Sequence, residues 1–179
     1  MGRLKLFIPL LLFIVLAILL WRGLSLDPTS MPSALVDDEM PGFRLPLLDQ
    51  PQNMVGKADL PQGPLLINVW GTWCPTCVME HPFLMQVAEK YGVTIVGLDY
   101  KDERAAALQW LGQRGNPYQM TLFDEEGVFG LELGVYGAPE TYLVDAEGVI
   151  RLRHVGELND RVWRDSFAPF FAEMQEAGQ

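Results

Sequence analysis

Basic residues, cysteine and histidine are all scarce in this chain, and each scarcity removes a class of function. Across 179 residues there are 13 Lys plus Arg against 23 Asp plus Glu, a formal charge of −10. A surface of that sign repels a phosphate backbone, so no nucleic-acid partner is expected. Two cysteines cannot build the multi-bridge framework of a small secreted scaffold, and together with two histidines they do not make a convincing structural zinc site. Internal repeats and low-complexity runs are missing as well. The length suits one domain with its own core plus an appendage, and is short for two.

What is present begins with a hydrophobic run. Leu6 to Trp21 carries no ionisable group, with Arg3 and Lys5 ahead of it and Arg22 directly behind. As a helix rising about 1.5 Å per residue it would be roughly 24 Å long, short for a span, although the flanking cations can snorkel to the headgroups. A cleaved signal peptide is the rival reading, but Leu19-Leu20-Trp21-Arg22-Gly23 offers no small-residue cleavage site. Residues 1–24 are therefore expected to be an uncleaved transmembrane signal anchor, its cations holding the N-terminus in the cytoplasm. Residues 25–41, rich in proline and serine and ending in the acidic cluster Asp37, Asp38 and Glu39, read as a linker. That leaves 42–179 as a domain on the far side of the membrane.

Within this domain apolar runs alternate with helical spacing. Phe43–Leu48 suggests a short strand followed by a loop through Pro51 and Asn53. Leu65-Leu66-Ile67-Asn68-Val69-Trp70 has the near-continuous apolar character of a strand covered on both faces. Leu84, Val87, Ala88 and Tyr91 then recur at helical intervals until Gly92. A second buried strand is expected at 93–98, and a second helix at 102–114 with Asp99 and Asp102 as candidate caps and Gly115 beyond it. An extended segment at 119–123, a short helical or turn region at 125–133, a hairpin of 141–145 and 149–153, and a helix from Asn159, kinked at Pro169, complete the chain. Strands and helices in this order build a mixed α/β sheet with helices on both faces.

Both cysteines fall in one word, Trp73-Cys74-Pro75-Thr76-Cys77, at the junction of a buried strand and a helix. Two thiols separated by two residues at a helix start can close a small disulfide. The first sulfur meets unpaired backbone amides and the positive end of the helix dipole, which favour the thiolate that attacks disulfides. Pro75 fits the first helical turn. Cys77, one turn in, is expected to be the more buried and to resolve a mixed disulfide formed at Cys74. Half of a metal site, completed by His81, His154 or carboxylates, remains an alternative. An inert disulfide would close too small a loop to stabilise much. Covalent haem attachment requires histidine where Val78 stands. Trp70, Trp110 and Trp163 read as packing residues, Trp73 as a substrate-facing one, and His81 and His154 as structural, His81 at a position where a helix would show it to solvent.

The strand, the Trp-Cys-Pro-Thr-Cys word, Pro82 in the following helix, and Gly137-Ala138-Pro139 ahead of a strand together resemble the thioredoxin fold. More specifically, Asn68 to Cys77, Glu80-His81 and Leu133-Gly134-Val135-Tyr136-Gly137-Ala138-Pro139-Glu140-Thr141 resemble the DsbE/CcmG family of cytochrome c maturation. The resemblance implies a periplasmic protein, single-pass in the inner membrane, that reduces disulfides in the haem-attachment motifs of apocytochrome c. Its implied partners are apocytochrome c, a DsbD-type transmembrane reductase as electron donor, and the haem-ligation machinery; no dissociable cofactor and no metal are implied. Cys74 and Cys77 would be catalytic. Trp73, Pro75, Thr76, Ala138 and a cis Pro139 would contact substrate, with the backbone at Ala138 open to an extended chain; an ordinary trans turn proline is the other reading of Pro139.

Thioredoxin carries a buried aspartate on the strand before its motif, and Asn68 stands there instead. Glu80 and Glu140 are the acids that the resemblance places near the disulfide. If they are charged and close, they oppose thiolate at both sulfurs and tune the pair toward a reductant; the alternative for each is a solvated surface carboxylate. A general reductase of the TlpA/ResA type keeps the fold and changes the client, and a copper-binding metallochaperone module changes the class altogether.

Overall fold

A computed structural model of the chain describes residues 7–24 and 35–177, which fall in two compact units divided after Met31. The first contains one helix, α1 (Phe7–Leu24), 18 residues long. Pro9 lies in its first turn, where a missing amide hydrogen costs no intrahelical bond, and Arg22 lies in its last turn, where the dipole favours a cation. Side chains from Ile8 to Arg22 are exposed all round. Among the described residues no helix is long and apolar enough to cross a membrane. The start of the expected span at Leu6 and the flanking Arg3 and Lys5 lie outside the described residues, as does the linker through residue 34.

The second unit is organised by a five-stranded sheet in the order β5-β4-β3-β6-β7. Its central strand β3 (Leu65–Trp70) pairs in parallel with β4 (Ile95–Tyr100), which pairs in parallel with β5 (Met120–Asp124). On its other side β3 pairs antiparallel with β6 (Glu140–Val144), and β6 with β7 (Ile150–Val155). Every residue of β3 is buried, because successive side chains of a strand point to opposite faces and here both faces are covered. Leu66 and Trp70 face α2 (Pro75–Tyr91), α3 (Arg104–Arg114) and the C-terminal helix, in a core with Leu84, Val87, Leu111 and Phe167. Ile67 and Val69 face the opposite core, closed by Leu47, Val55, Phe129 and Leu133. Burying each of these aliphatic side chains contributes roughly 1.5–3 kcal/mol. The three long helices of the domain thus share one face, while the other is covered by α4 (Val128–Glu132) and the N-terminal segment.

The expected element order holds, with local differences that have physical causes. The stretch read as loop near Asn53 contains β2 (Met54–Gly56), which pairs antiparallel with β1 (Arg44–Pro46). The linker expected to run to Pro41 gives way to docked chain from about Leu35 onward. Asp37 and Met40 donate amides to the carbonyls of Ile150 and Gly148 at 2.7 and 2.9 Å, and Met40 is 2 % exposed. The acidic cluster there pairs with cations, Asp37 with Arg151 and Glu39 with Lys57. Neither Asp99 nor Asp102 caps α3 by the expected side-chain bond: Asp99 belongs to β4, and Asp102 accepts the Glu103 amide one residue ahead of the helix. The C-terminal helix is capped by the Asn159 side chain, as its sequence position suggests, and runs through α5 (Asp160–Val162) and a π turn (Trp163–Phe167) into α6 (Ala168–Ala177). The irregularity expected at Pro169 is taken up one turn earlier, which puts the proline in the first turn of α6.

Candidate active site

β3 delivers the chain to the cysteines through the loop Gly71-Thr72-Trp73. Gly71 is required there, because a Cβ on it would come within 2.5 Å of the Trp73 indole nitrogen. The Cys74 amide closes a turn onto the Gly71 carbonyl at 3.1 Å, and Cys74 is the N-cap of α2. Its Sγ accepts the Cys77 backbone amide at 3.0 Å, and Pro75 opens the helix. A sulfur in that position receives one of the donors that a helix start leaves without an intrahelical partner. Cys74 and Cys77 are joined in a disulfide with Cα atoms 5.3 Å apart. Cys77 is not the more buried of the two, as expected from its place one turn in: Cys74 is 2 % and Cys77 4 % exposed. In the bonded state each sulfur covers the other.

The surface around the pair is built by Trp73, 49 % exposed, with Pro75 exposed and Thr76 half-buried. The register Val69↔Glu140 sets Pro139 level with the end of β3, where the cysteine loop departs. Ala138 packs against the core cluster that contains both cysteines, and the Ala138–Pro139 peptide bond is cis. Cysteine loop and proline loop therefore meet at the same end of the sheet.

The buried face of α2 that carries Cys77 also carries a member of a buried polar network. Glu80, one turn beyond Cys77 on the buried face of α2, is 1 % exposed, which rules out a solvated carboxylate. Its Oε1 accepts a 2.6 Å bond from Asn68 Nδ2. The same amide group donates to Thr141 Oγ1 at 3.2 Å, and Asn68 Oδ1 accepts the Tyr118 hydroxyl at 2.9 Å. Burial lifts the Glu80 carboxyl to about 8, against smaller opposing pulls from the Leu158 backbone and Asn68. Glu80 accordingly holds its proton at neutral pH. At that value the carboxyl is mostly neutral at neutral pH, so little of the expected negative charge is present there. Burial, followed by the charges of Glu80 and Asp99, raises the Tyr118 hydroxyl well above its ordinary value, so it acts as a neutral donor.

Glu140 is likewise buried, at 0 % exposure, and is fully engaged. Oε1 accepts the Tyr136 and Gly137 amides at 2.7 and 3.2 Å, while Oε2 accepts the Tyr142 hydroxyl at 2.8 Å. Arg153 Nε and Nη2 donate to Oε2 at 3.0 and 2.8 Å, and Nη2 also reaches the Gly134 carbonyl. The expected tuning charge is thus an ion pair that clamps residues 134–137, the approach to Pro139. His81 is buried rather than shown to solvent, its Nε2 3.1 Å from the Gly115 carbonyl and its ring edge-on to Trp110. His154 lies 3.2 Å from the Glu157 carbonyl. Among the described residues no three His, Cys, Asp or Glu side chains converge as metal ligands. Trp70 and Trp163 sit in the core, Trp70 against Trp110 and Tyr118.

The sequence reading missed Asn68 as the partner of Glu80, and Tyr118 as the partner of Asn68. A polar side chain inside an otherwise apolar buried strand was the available signal, since such a group requires a hydrogen-bonding partner.

The geometry has counterparts among known proteins. The Redoxin family profile matches residues 35–167. The thiol:disulfide interchange protein DsbE of Pseudomonas aeruginosa is 48% identical over 174 residues, covering 97% of this chain and 96% of that protein. The protein of the same description from Escherichia coli K12 is 47% identical over the full length of both chains. Among solved structures, a secreted thiol-disulfide isomerase from Corynebacterium glutamicum superposes with a TM-score of 0.67 at 20% identity, covering 82% of this chain and 96% of that one. That likeness concerns the fold, which is thioredoxin-like.

Proposed function

The chain belongs to the Redoxin family, among the DsbE thiol:disulfide interchange proteins, and we propose that within this oxidoreductase Cys74 is the attacking thiol and Cys77 the resolving one. The observation that carries the reading is the Cys74 sulfur at the N-cap of α2, receiving the Cys77 amide and bonded to Cys77. In the reduced protein the Cys74 thiolate attacks one sulfur of a client disulfide. A mixed disulfide forms and the client's other sulfur leaves as thiolate. Cys77 then loses its proton and attacks Cys74, restoring the 74–77 bond and releasing the client as a dithiol. Two electrons pass from the protein to the client.

Glu80 suits the proton step. A carboxyl near 8 is closely matched to a thiol of ordinary value near 8.5, so a proton passes between them with little driving force either way. Trp73, Pro75, Thr76 and the backbone around Ala138 and Pro139 form the surface against which an extended client chain lies. Glu140 serves this surface by holding residues 134–137 in place rather than by its charge on the sulfurs.

The client class is the disulfide of a haem-attachment motif in apocytochrome c, a reading supported by the DsbE relatives and by the sequence word shared with that family. It brings with it a periplasmic setting, a DsbD-type donor and the haem-ligation machinery. The N-terminal unit acts as a single-pass inner-membrane anchor. Supporting this are the apolar character of α1 on every side and the cations Arg3, Lys5 and Arg22 at its flanks.

Membranes carrying the Cys77→Ala variant test the client, because the mixed disulfide at Cys74 can no longer be resolved. Apocytochrome c captured at Cys74, and lost in a Cys74→Ser control, is the expected result. Capture of many unrelated proteins without apocytochrome c would replace this client with those of a general TlpA/ResA-type reductase.

A further inference from the structure

The exit of β4 carries two carboxyls that the exchange steps above do not use. Asp99, in β4, is 0 % exposed, and among the described residues neither of its oxygens receives a hydrogen bond from an N–H or hydroxyl group. After burial, the Asp102 carboxyl is the group that bears most on it, and two carboxyls bond to each other only by sharing a proton. Asp102 is half-buried and faces the cysteine loop with its remaining capacity. It accepts the Thr72 hydroxyl at 2.7 Å, the Thr72 amide, and the Glu103 amide at 2.7 Å. Thr72 stands two residues ahead of Cys74. The next residue is tied to the same strand exit, Trp73 Nε1 donating to the Tyr100 carbonyl at 3.0 Å. The two residues before the attacking cysteine are thus held by residues 100–102.

We propose that Asp102 is a positioning residue for disulfide exchange: it latches Thr72 so that the Cys74 sulfur stays aimed along the Cys77 amide, and Asp99 behind it makes the latch hold only while the two carboxyls share one proton. The inference rests on the reading of Cys74 as the attacking thiol. Burial first, then the charge of Asp102 and the bond to it, raise the Asp99 carboxyl to about 8, with Arg104 pulling the other way. The Arg104 guanidinium, on α3, is engaged by the carbonyls of Leu47 and Leu48 and lies 4.1 Å from the Phe123 ring centroid. Tyr118, the other titratable group coupled to Asp99, stays neutral. Trp70 of β3 and Phe123 of β5, level with Asp99, add no charge. Through neutral pH Asp99 therefore keeps its proton. As it ionises, with a midpoint at about 8, its charge is set against the Asp102 carboxyl at short range in a medium that screens poorly. Asp102, the partner nearer solvent, yields, and Thr72 loosens with it.

Positioning and simple charge make opposite predictions for Cys74. Removing a nearby negative charge alone stabilises the thiolate and lowers the Cys74 pKa. Releasing the latch removes the aligned Cys77 amide and raises that pKa toward the free-cysteine value near 8.5. The test titrates the thiolate absorbance of the reduced full-length chain in detergent and measures its rate with a small aromatic disulfide probe at equal thiolate fraction. Asp102→Ala is expected to raise the Cys74 pKa and slow the reaction roughly tenfold, the scale of a modest misplacement. Asp102→Asn, which keeps an oxygen for Thr72 and offers Asp99 an amide hydrogen, recovers most of the loss. A lowered pKa, or wild-type pKa and rate in Asp102→Ala, overturns the inference.

A second readout does not depend on Asp102→Ala folding. In the 15N-labelled parent chain the Thr72 amide resonance shifts with a midpoint at about pH 8, and the step is lost in the nearly isosteric Asp99→Asn. A Thr72 amide that stays flat through that range, or a step that survives Asp99→Asn, overturns the inference while leaving the reading of the cysteines intact. A reduced parent chain that opens no disulfide strikes that reading instead, and the inference falls with it.

Discussion

At the scale of single residues, Glu80 shows how burial changes the meaning of a charge. A carboxylate one turn beyond the second cysteine would, if ionised, oppose thiolate formation. Buried at 1 % exposure and lifted to about 8, it is mostly protonated at neutral pH, and the ionised fraction, which grows toward that value, offers a site for the proton that Cys77 must lose. Glu80→Gln keeps the shape and a hydrogen-bond acceptor for Asn68 but takes no proton. Stopped-flow mixing of the reduced variant with a peptide disulfide should show first attack nearly unchanged and resolution by Cys77 slowed about 100-fold at neutral pH, the lower end of general-base effects. In the parent, resolution should rise with pH through about 8, and in Glu80→Gln the slower rise that remains should follow the ionisation of the attacking thiol alone. Equal resolution rates in both proteins would remove Glu80 from the proton path. Cys74, Cys77 and Pro75 were legible because their chemistry lies in one five-residue word. The Glu80 network was not, since Asn68 meets it across 12 positions and Tyr118 meets Asn68 across 50. Spacing in sequence carries no information about such a meeting. Only the asparagine inside an apolar strand hinted that a buried partner existed.

At the scale of elements, the long periodic segments were readable and the short ones were not. β3, α2 and α3 have apolar patterns strong enough to fix their type, and Gly92 and Gly115 mark the ends of the two helices. β2 has three residues, and its identity comes from pairing with β1 rather than from its own composition. The acidic stretch at 37–39 looked like tether because it is all charge and lies between Pro32 and Pro41. Its main-chain bonds to the β6–β7 hairpin and its pairs with Arg151 and Lys57 make it part of the domain. β6 and β7 also hold the proline loop through the Glu140–Arg153 pair, whose side chains are 0 % and 3 % exposed. Removing one member of a buried pair leaves the other charged in a medium that cannot solvate it. Arg153→Ala should therefore lower unfolding stability by about 3–5 kcal/mol in urea titrations, and its residual activity should fall as residues 134–137 lose their clamp. A loss under about 1 kcal/mol, the range of exposed pairs, would show that water reaches Glu140.

At the scale of the whole molecule, two buried carboxyls link stability to pH. Glu80 and Asp99 are each raised to about 8, so between the ordinary carboxyl range and that value the folded chain binds more protons than the unfolded one. Stability then falls as pH rises across that window, by about 1.4 kcal/mol per pH unit for each group at most. Denaturant titrations should give a more stable protein near pH 5 than near pH 8, and the double variant Glu80→Gln, Asp99→Asn should flatten the slope. A parent protein whose stability rises over the same interval would contradict both assignments. The cores on either side of β3 and the cysteine and proline loops serve one purpose, which is to present a single sulfur at the start of α2. That claim is tested most directly by mixing the reduced full-length chain with a disulfide-bonded Cys-X-X-Cys-His peptide, quenching with acid and alkylating agent, and reading intact masses. Transient peptide adducts are expected on Cys74 alone, followed by free peptide dithiol and an oxidised 74–77 pair. A peptide that stays oxidised while both protein thiols remain reduced and accessible would contradict it.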